Sequence, residues 1–92
     1  MFVKLHRINK TNTNYYLSEI VVNVSHISYL KENREFKIAL SEGKIDIGLT
    51  QNAEFSDVVL NKSGTFETIT VVGGVDIVES KINSTTKQIL RG

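Results

Sequence analysis

Few side chains in this sequence are able to do chemistry. There are two histidines, His6 and His26, and 10 Asp+Glu against 11 Lys+Arg. The chain has no cysteine, which removes thiolate metal sites, thiol nucleophiles and disulfides together. Neither histidine stands at metal-ligand spacing from the other or from a helix carboxylate. A metal site of His26 with Asp46 and Glu35, or a nucleophilic arrangement of His26 with a serine and an aspartate, would need the fold to collect its members. The acids fall where solvated charge is expected: Glu32, Glu35 and Glu42 in or beside turns, Asp46 on a wet strand face, and Glu54, Asp57, Asp76 and Glu79 in early helix turns. A glycosidase-type carboxylate pair would have to be assembled in three dimensions, and 92 residues leave little material for a substrate pocket beside a core. The expectation is therefore a protein that is not an enzyme, with no catalytic residue, no metal ligand and no cofactor.

Gly73-Gly74 ahead of a helical pattern is the one phosphate-binding candidate, because glycine lets backbone N–H groups approach an anion at a helix N-terminus. Asp76 would place negative charge where the phosphate should lie, and neither G-x-G-x-x-G nor G-x-x-x-x-G-K-[ST] is present. A strand-to-helix turn accounts for the two glycines more simply.

The basic residues are more informative than the net charge of +1. Lys4, His6, Arg7 and Lys10 form a stretch with no acid until Glu19, followed by Tyr15 and Tyr16. Tyr29, Lys31, Arg34, Phe36 and Lys37 form a second basic and aromatic group. Basic side chains neutralise phosphates, and exposed aromatic rings stack on unpaired bases. The predicted contacts to nucleic acid are Lys4, Arg7, Lys10, Lys31, Arg34 and Lys37 for phosphates, with Tyr15 and Tyr16 for stacking. The plainer account makes Tyr29 and Phe36 core, lets Glu32 and Glu35 cancel the neighbouring cations, and leaves Lys4 and Arg7 on a solvated strand face.

These side chains must be positioned by a small set of elements. Phe2 to Ile8 reads as a strand with Val3 and Leu5 on one face, and the polar run 9–14 as an exposed loop. Ile20 to Leu30 is rich in β-branched residues but changes parity, which predicts a bulge or short turn near Asn23 to His26, so that residues 15–30 make one strand or two. Lys31 to Arg34 reads as a hairpin connection. Phe36, Ile38, Leu40 and Ile45, Ile47, Leu49 alternate with polar or small residues around Ser41-Glu42-Gly43, predicting an antiparallel hairpin. Phe55, Val58 and Val59 have helical spacing after a cap at Thr50 or Asn52. Phe66 to Val72 is apolar on both parities and reads as a strand covered on both sides. Val75, Val78, Ile82 and Ile89 mark an amphipathic C-terminal helix.

The sum is an α+β fold in one domain, 1–92: a mainly antiparallel five- to six-stranded sheet with a short helix and a C-terminal amphipathic helix, both helices on one face. Segments 20–30 and 66–72 carry more apolar surface than two short helices cover, which predicts a homodimer through the sheet or an edge strand. Without cysteine, and with no apolar run like a signal or membrane-spanning segment, the expected location is the cytoplasm, with no membrane partner.

The run Phe2-Val3-Lys4-Leu5-His6-Arg7-Ile8-Asn9-Lys10, the Asn/Thr/Lys-rich loop after it and the tail Val75-Asp76-Ile77-Val78-Glu79-Ser80-Lys81-Ile82 resemble the small accessory and anti-defence proteins of T4-like phages. The resemblance is one of style across the chain, without a diagnostic motif, and carries over no site residue. It implies a non-enzymatic regulator of a host factor, acting in the host cytoplasm, and some such proteins bind RNA. Two expectations follow: a dimeric regulatory protein that binds RNA through its basic and aromatic surface, or a module that docks on a host or sister protein without nucleic acid.

Overall fold

The computed structural model describes residues 1–12, 14–50 and 52–91, the last seven of these by backbone only. It contains β1 (Phe2–Lys10), β2 (Tyr15–Asn23), a 3-10 turn (Val24–His26), β3 (Ile27–Glu32), α1 (Arg34–Ser41), β4 (Phe55–Lys62), β5 (Thr65–Val72) and α2 (Val75–Arg91). The strands form one antiparallel five-stranded sheet in the order β2-β1-β5-β4-β3. Together with the two helices this is an α+β fold.

The row of strands cannot be flat. β2 and β3 are its two outermost strands, and a flat row would set them about 19 Å apart at the usual spacing. Only Val24–His26 joins Asn23 to Ile27, and that link reaches at most ~15 Å. The sheet therefore curls, and its concave face gathers Val3 and Leu5 of β1, Val22 of β2, Val58 and Leu60 of β4, and Ile69 and Val71 of β5 into one core. Ile27 and Leu30 of β3 pack against the same core, as does Ile82 of α2, while Val78 of α2 is buried within it. The change of parity near Asn23 is this 3-10 turn, held by the Asn23 side chain accepting from the Ser25 N–H at 3.0 Å.

A second core lies on the convex face, where Phe36 and Leu40 of α1 and Ile45, Ile47, Leu49 and Ala53 after it cover Ile8, Leu17, Phe55 and Val72. Phe36 stands edge-on to Phe55, with ring centroids 4.7 Å apart. The two helices thus sit on opposite faces of the sheet, not on one as the sequence pattern suggests.

Three further segments differ from the sequence reading. The alternating run at Phe36–Leu40 is helix α1, because Asn33 caps it by accepting the Phe36 N–H at 2.9 Å, and Phe36 and Leu40, four residues apart, then share its inner face. The described residues of 42–54 contain no strand, and those of 42–49 in particular do not, so there is no hairpin at 36–49. The stretch predicted to be a short helix, with Phe55, Val58 and Val59, is strand β4; Val58 and Leu60 are buried on its concave face, Phe55 on its convex face beside α1, and Val59 between its cross-strand neighbours Tyr29 and Thr68, so its apolar residues occur on both parities. β1 also runs two residues into the polar stretch, through Asn9 and Lys10.

β5 keeps the predicted faces, Ile69 and Val71 inward and Phe66 and Val72 outward, but only its C-terminal half is covered on both sides. Ser63 (φ 54°) and Gly64 (φ 90°) form a two-residue turn with both φ positive between β4 and β5, and the Gly64 N–H donates to the Asn61 side chain at 3.0 Å. Gly73-Gly74 make the predicted strand-to-helix turn, and the side chain of Ile89 lies outside the described residues. Among the described residues, no helix is long and apolar enough to cross a membrane.

Candidate nucleic-acid interface

The eight residues predicted to contact nucleic acid are not brought onto one surface. Cross-strand partners share a face, so the pairings Lys4↔Val21 and Lys10↔Tyr15 put Lys4, Lys10 and Tyr15 on the convex side, whereas Arg7↔Ser18 and Asn9↔Tyr16 put Arg7 and Tyr16 on the concave side. Lys31 lies on the convex side of β3, with β5 and β4 between it and β1. Arg34 and Lys37 belong to α1.

Three of the six cations already face carboxylates: Lys4 is 3.5 Å from Glu19, Arg34 is 3.1 Å from Glu32, and Lys37 is 3.1 Å from Glu54. These are exposed pairs, each worth less than ~1 kcal/mol, but each sets a negative charge where a phosphate would have to sit. Tyr15 is half-buried, edge-on to Phe36 with centroids 5.2 Å apart, and Lys10 lies 5.6 Å from the Tyr15 ring centre. Tyr15 is therefore a core ring under a lysine, while Tyr16 is exposed on the opposite face.

The glycine turn does not form an anion cradle. The Glu54 carboxylate lies so close to Gly74 that a Cβ there would meet Oε2 at 2.5 Å, and Glu32 and Asp76 line the same hollow. What the turn does is local: the Gly73 N–H donates to the Glu54 carbonyl at 2.7 Å, and the buried Ser56 hydroxyl donates to the Gly73 carbonyl at 2.8 Å. Among the described residues no group of three His, Cys, Asp or Glu side chains converges as metal ligands would.

A different arrangement emerges on the convex side of β3, β4 and β5, beyond the reach of α1. The pairings Tyr29↔Val59↔Thr68 and Asn61↔Phe66 set these five residues side by side, with Lys31↔Asp57↔Thr70 as the next row toward α1. Tyr29 is 53% and Phe66 62% exposed, while Val59 between them is buried. By strand spacing and rise, the two rings stand roughly 12 Å apart on a continuous sheet. Lys31 forms no ion pair among the described residues. The only carboxylate of these rows, Asp57, is half-buried and accepts from Asn33 Nδ2 at 3.0 Å and Thr70 Oγ1 at 2.8 Å. Two separate aromatic platforms, a free lysine and hydroxyl and amide side chains suit unpaired bases and their backbone.

Phe66 was missed in the sequence because an apolar residue at the start of a strand reads as core. The signal that existed was its position beside the tight turn Ser63-Gly64, past the end of any covering helix. Compared with known proteins, the chain matches no family model, no curated protein and no solved structure.

Proposed function

We propose that this protein is a non-enzymatic regulatory binding protein that takes single-stranded RNA on the open convex face of β3, β4 and β5. Tyr29 and Phe66 stack on bases, Lys31 meets the backbone, and Asn61 and Thr68 supply hydrogen bonds. The observation that carries the reading is the pair of exposed rings flanking Val59 on an uncovered sheet face. Lys31 is retained from the predicted basic set; Lys4, Arg34 and Lys37 are occupied by carboxylates and contribute to the general field only. A regulatory role in the cytoplasm, including an anti-defence role of the kind the phage resemblance implies, accords with a small binding face that has no reactive group.

The experiment is a titration of labelled mixed-sequence single-stranded RNA at rising salt. Stacking with few phosphate contacts predicts measurable binding at low salt and a shallow decline, about 0.7 in log K per log salt for each phosphate neutralised. Absence of binding at low salt, with a protein partner retained after nuclease treatment, overturns this reading in favour of a protein-docking module that uses the same exposed rings.

A further inference from the structure

Among the described residues, no strand pairs with the outer edge of β2. Its hydrogen-bonding phase is fixed at both ends: the Thr11 N–H donates to the Asn14 carbonyl at 2.8 Å, and the Val24 N–H donates to the Met1 carbonyl at 3.0 Å. In an antiparallel pair, hydrogen-bonded and non-hydrogen-bonded residue pairs alternate. Between these two ends, Asn9↔Tyr16, Arg7↔Ser18, Leu5↔Ile20 and Val3↔Val22 are the bonded pairs. The N–H and C=O groups of Tyr15, Leu17, Glu19 and Val21 therefore point away from β1, on the side where the described residues place no further strand. Natural edge strands are guarded by proline, bulges, short length or charge. β2 runs over Tyr15–Asn23 without proline, its register with β1 is unbroken, and its one charge, Glu19, is partly neutralised by Lys4. Tyr16 and Val21 on this strand are 50% and 59% exposed.

We infer that this edge pairs with the same edge of a second copy of the chain, antiparallel about a two-fold axis at Ser18. The outward-pointing groups must pair with one another, so odd residues meet odd residues and only a few registers are open. Centring on Glu19 sets Glu19 against Glu19 of the second copy, which like-charge repulsion disfavours. Centring on Ile20 places Leu17 against Asn23 and Ser18 against Val22, setting polar against apolar side chains. Centring on Ser18 pairs Tyr15 with Val21 on the convex side and Tyr16 with Ile20 on the concave side, each twice by symmetry, and sets Leu17 against Glu19. Aromatic and β-branched partners are thus matched on both faces, the combination that stabilises cross-strand pairs. The exposed Tyr16 and Val21 are covered in one step. The two sheets then become one continuous ten-stranded sheet, and the convex faces of β3, β4 and β5 stay open at its far ends.

The sequence supplies its own probe, since it contains no cysteine. In this register Ser18 faces Ser18 of the second copy as a non-hydrogen-bonded pair, with Cα atoms roughly 4.5 Å apart, inside the range a disulfide bridges. The full chain, free of nucleic acid, is expected to sediment at twice its 10.3 kDa mass as concentration rises. Ser18→Cys is expected to cross-link under mild oxidation faster than Ser63→Cys, which places its thiol on the exposed β4–β5 turn. Glu19→Pro removes an outward N–H that β1 does not use, and shifts the mass back to that of one chain while the circular dichroism spectrum is retained. If Glu19→Pro unfolds, the cross-linking comparison decides. A chain that stays at 10.3 kDa at all concentrations, or a Ser18→Cys thiol that cross-links no faster than Ser63→Cys, overturns the inference.

Discussion

Removing the Phe66 ring tests the binding face at its most exposed point. The ring is 62% exposed at the start of β5, so most of its surface is already in water, and Phe66→Ala removes only the remaining buried fraction. At about 25 cal/mol per Å2 of apolar surface, the loss of folding stability is about 1 kcal/mol. The loss in binding is larger in relative terms. A base stacked on an aromatic side chain is worth about 1 to 3 kcal/mol, so Phe66→Ala weakens RNA affinity by roughly 5- to 150-fold. Tyr29→Ala has an effect of the same size. The rings stand two strands apart and serve separate bases, so the double variant is the sum of the two, within about 0.5 kcal/mol. The assay is fluorescence anisotropy of a labelled single-stranded oligonucleotide, with urea unfolding of each variant alongside to separate affinity from stability. Retention of full affinity in Tyr29→Ala/Phe66→Ala, with the fold intact, would refute the stacking argument.

Other substitutions separate the roles assigned here. Lys31→Ala lowers the salt slope by about 0.7 to 1, whereas Lys4→Ala, whose ammonium already faces Glu19, leaves it unchanged; equal effects in anisotropy would contradict the ion-pair argument. Phe55→Ala empties a fully buried site in the convex core and costs about 3 to 5 kcal/mol, read as a drop in the urea midpoint; a loss under about 1 kcal/mol would show that the packing on Phe36 is not what secures α1. Asn33→Ala removes both the cap of α1 and a donor to Asp57, costing about 1 to 2 kcal/mol. Asn33→Asp keeps the cap oxygen but sets a second carboxylate against Asp57, so it recovers less than Asn33→Ser does in the same unfolding assay.

How far the sequence could be read depended on whether a pattern had one physical solution. The parity change at Asn23 to His26 had one: an unbroken strand would have exposed either Val22 or Ile27, and the 3-10 turn lets both pack inward. Gly73-Gly74 was equally legible, since the strand-to-helix turn holds Gly73 at φ 114°, a conformation that glycine alone adopts freely. Phe36-Ile38-Leu40 had two solutions, because Phe36 and Leu40 satisfy period 2 and period 3.6 alike. The deciding signal was Asn33 three residues before Phe36, a helix cap that also reads as a turn residue. Phe55, Val58 and Val59 misled in the opposite direction. A strand with neighbours on each edge and buried residues of both parities loses alternation, and a helical spacing then arises by chance. The candidate site was the least legible part, because exposure of Tyr29 and Phe66 depends on where α1 and the Ile45, Ile47, Leu49 and Ala53 side chains stop on the convex face, a matter of three-dimensional reach that no local pattern encodes. Charge was legible as composition but not as field: Glu19, Glu32 and Glu54 come from separate stretches and meet Lys4, Arg34 and Lys37 only in the fold.

A 1H–15N NMR titration of the protein with single-stranded RNA locates the binding face directly. Binding on the open face concentrates amide shifts at 29, 31, 59, 61, 66 and 68 on the convex side of β3, β4 and β5. Shifts confined to β1 at 4, 7 and 10, or an unchanged spectrum at low salt with RNA in excess, would contradict it.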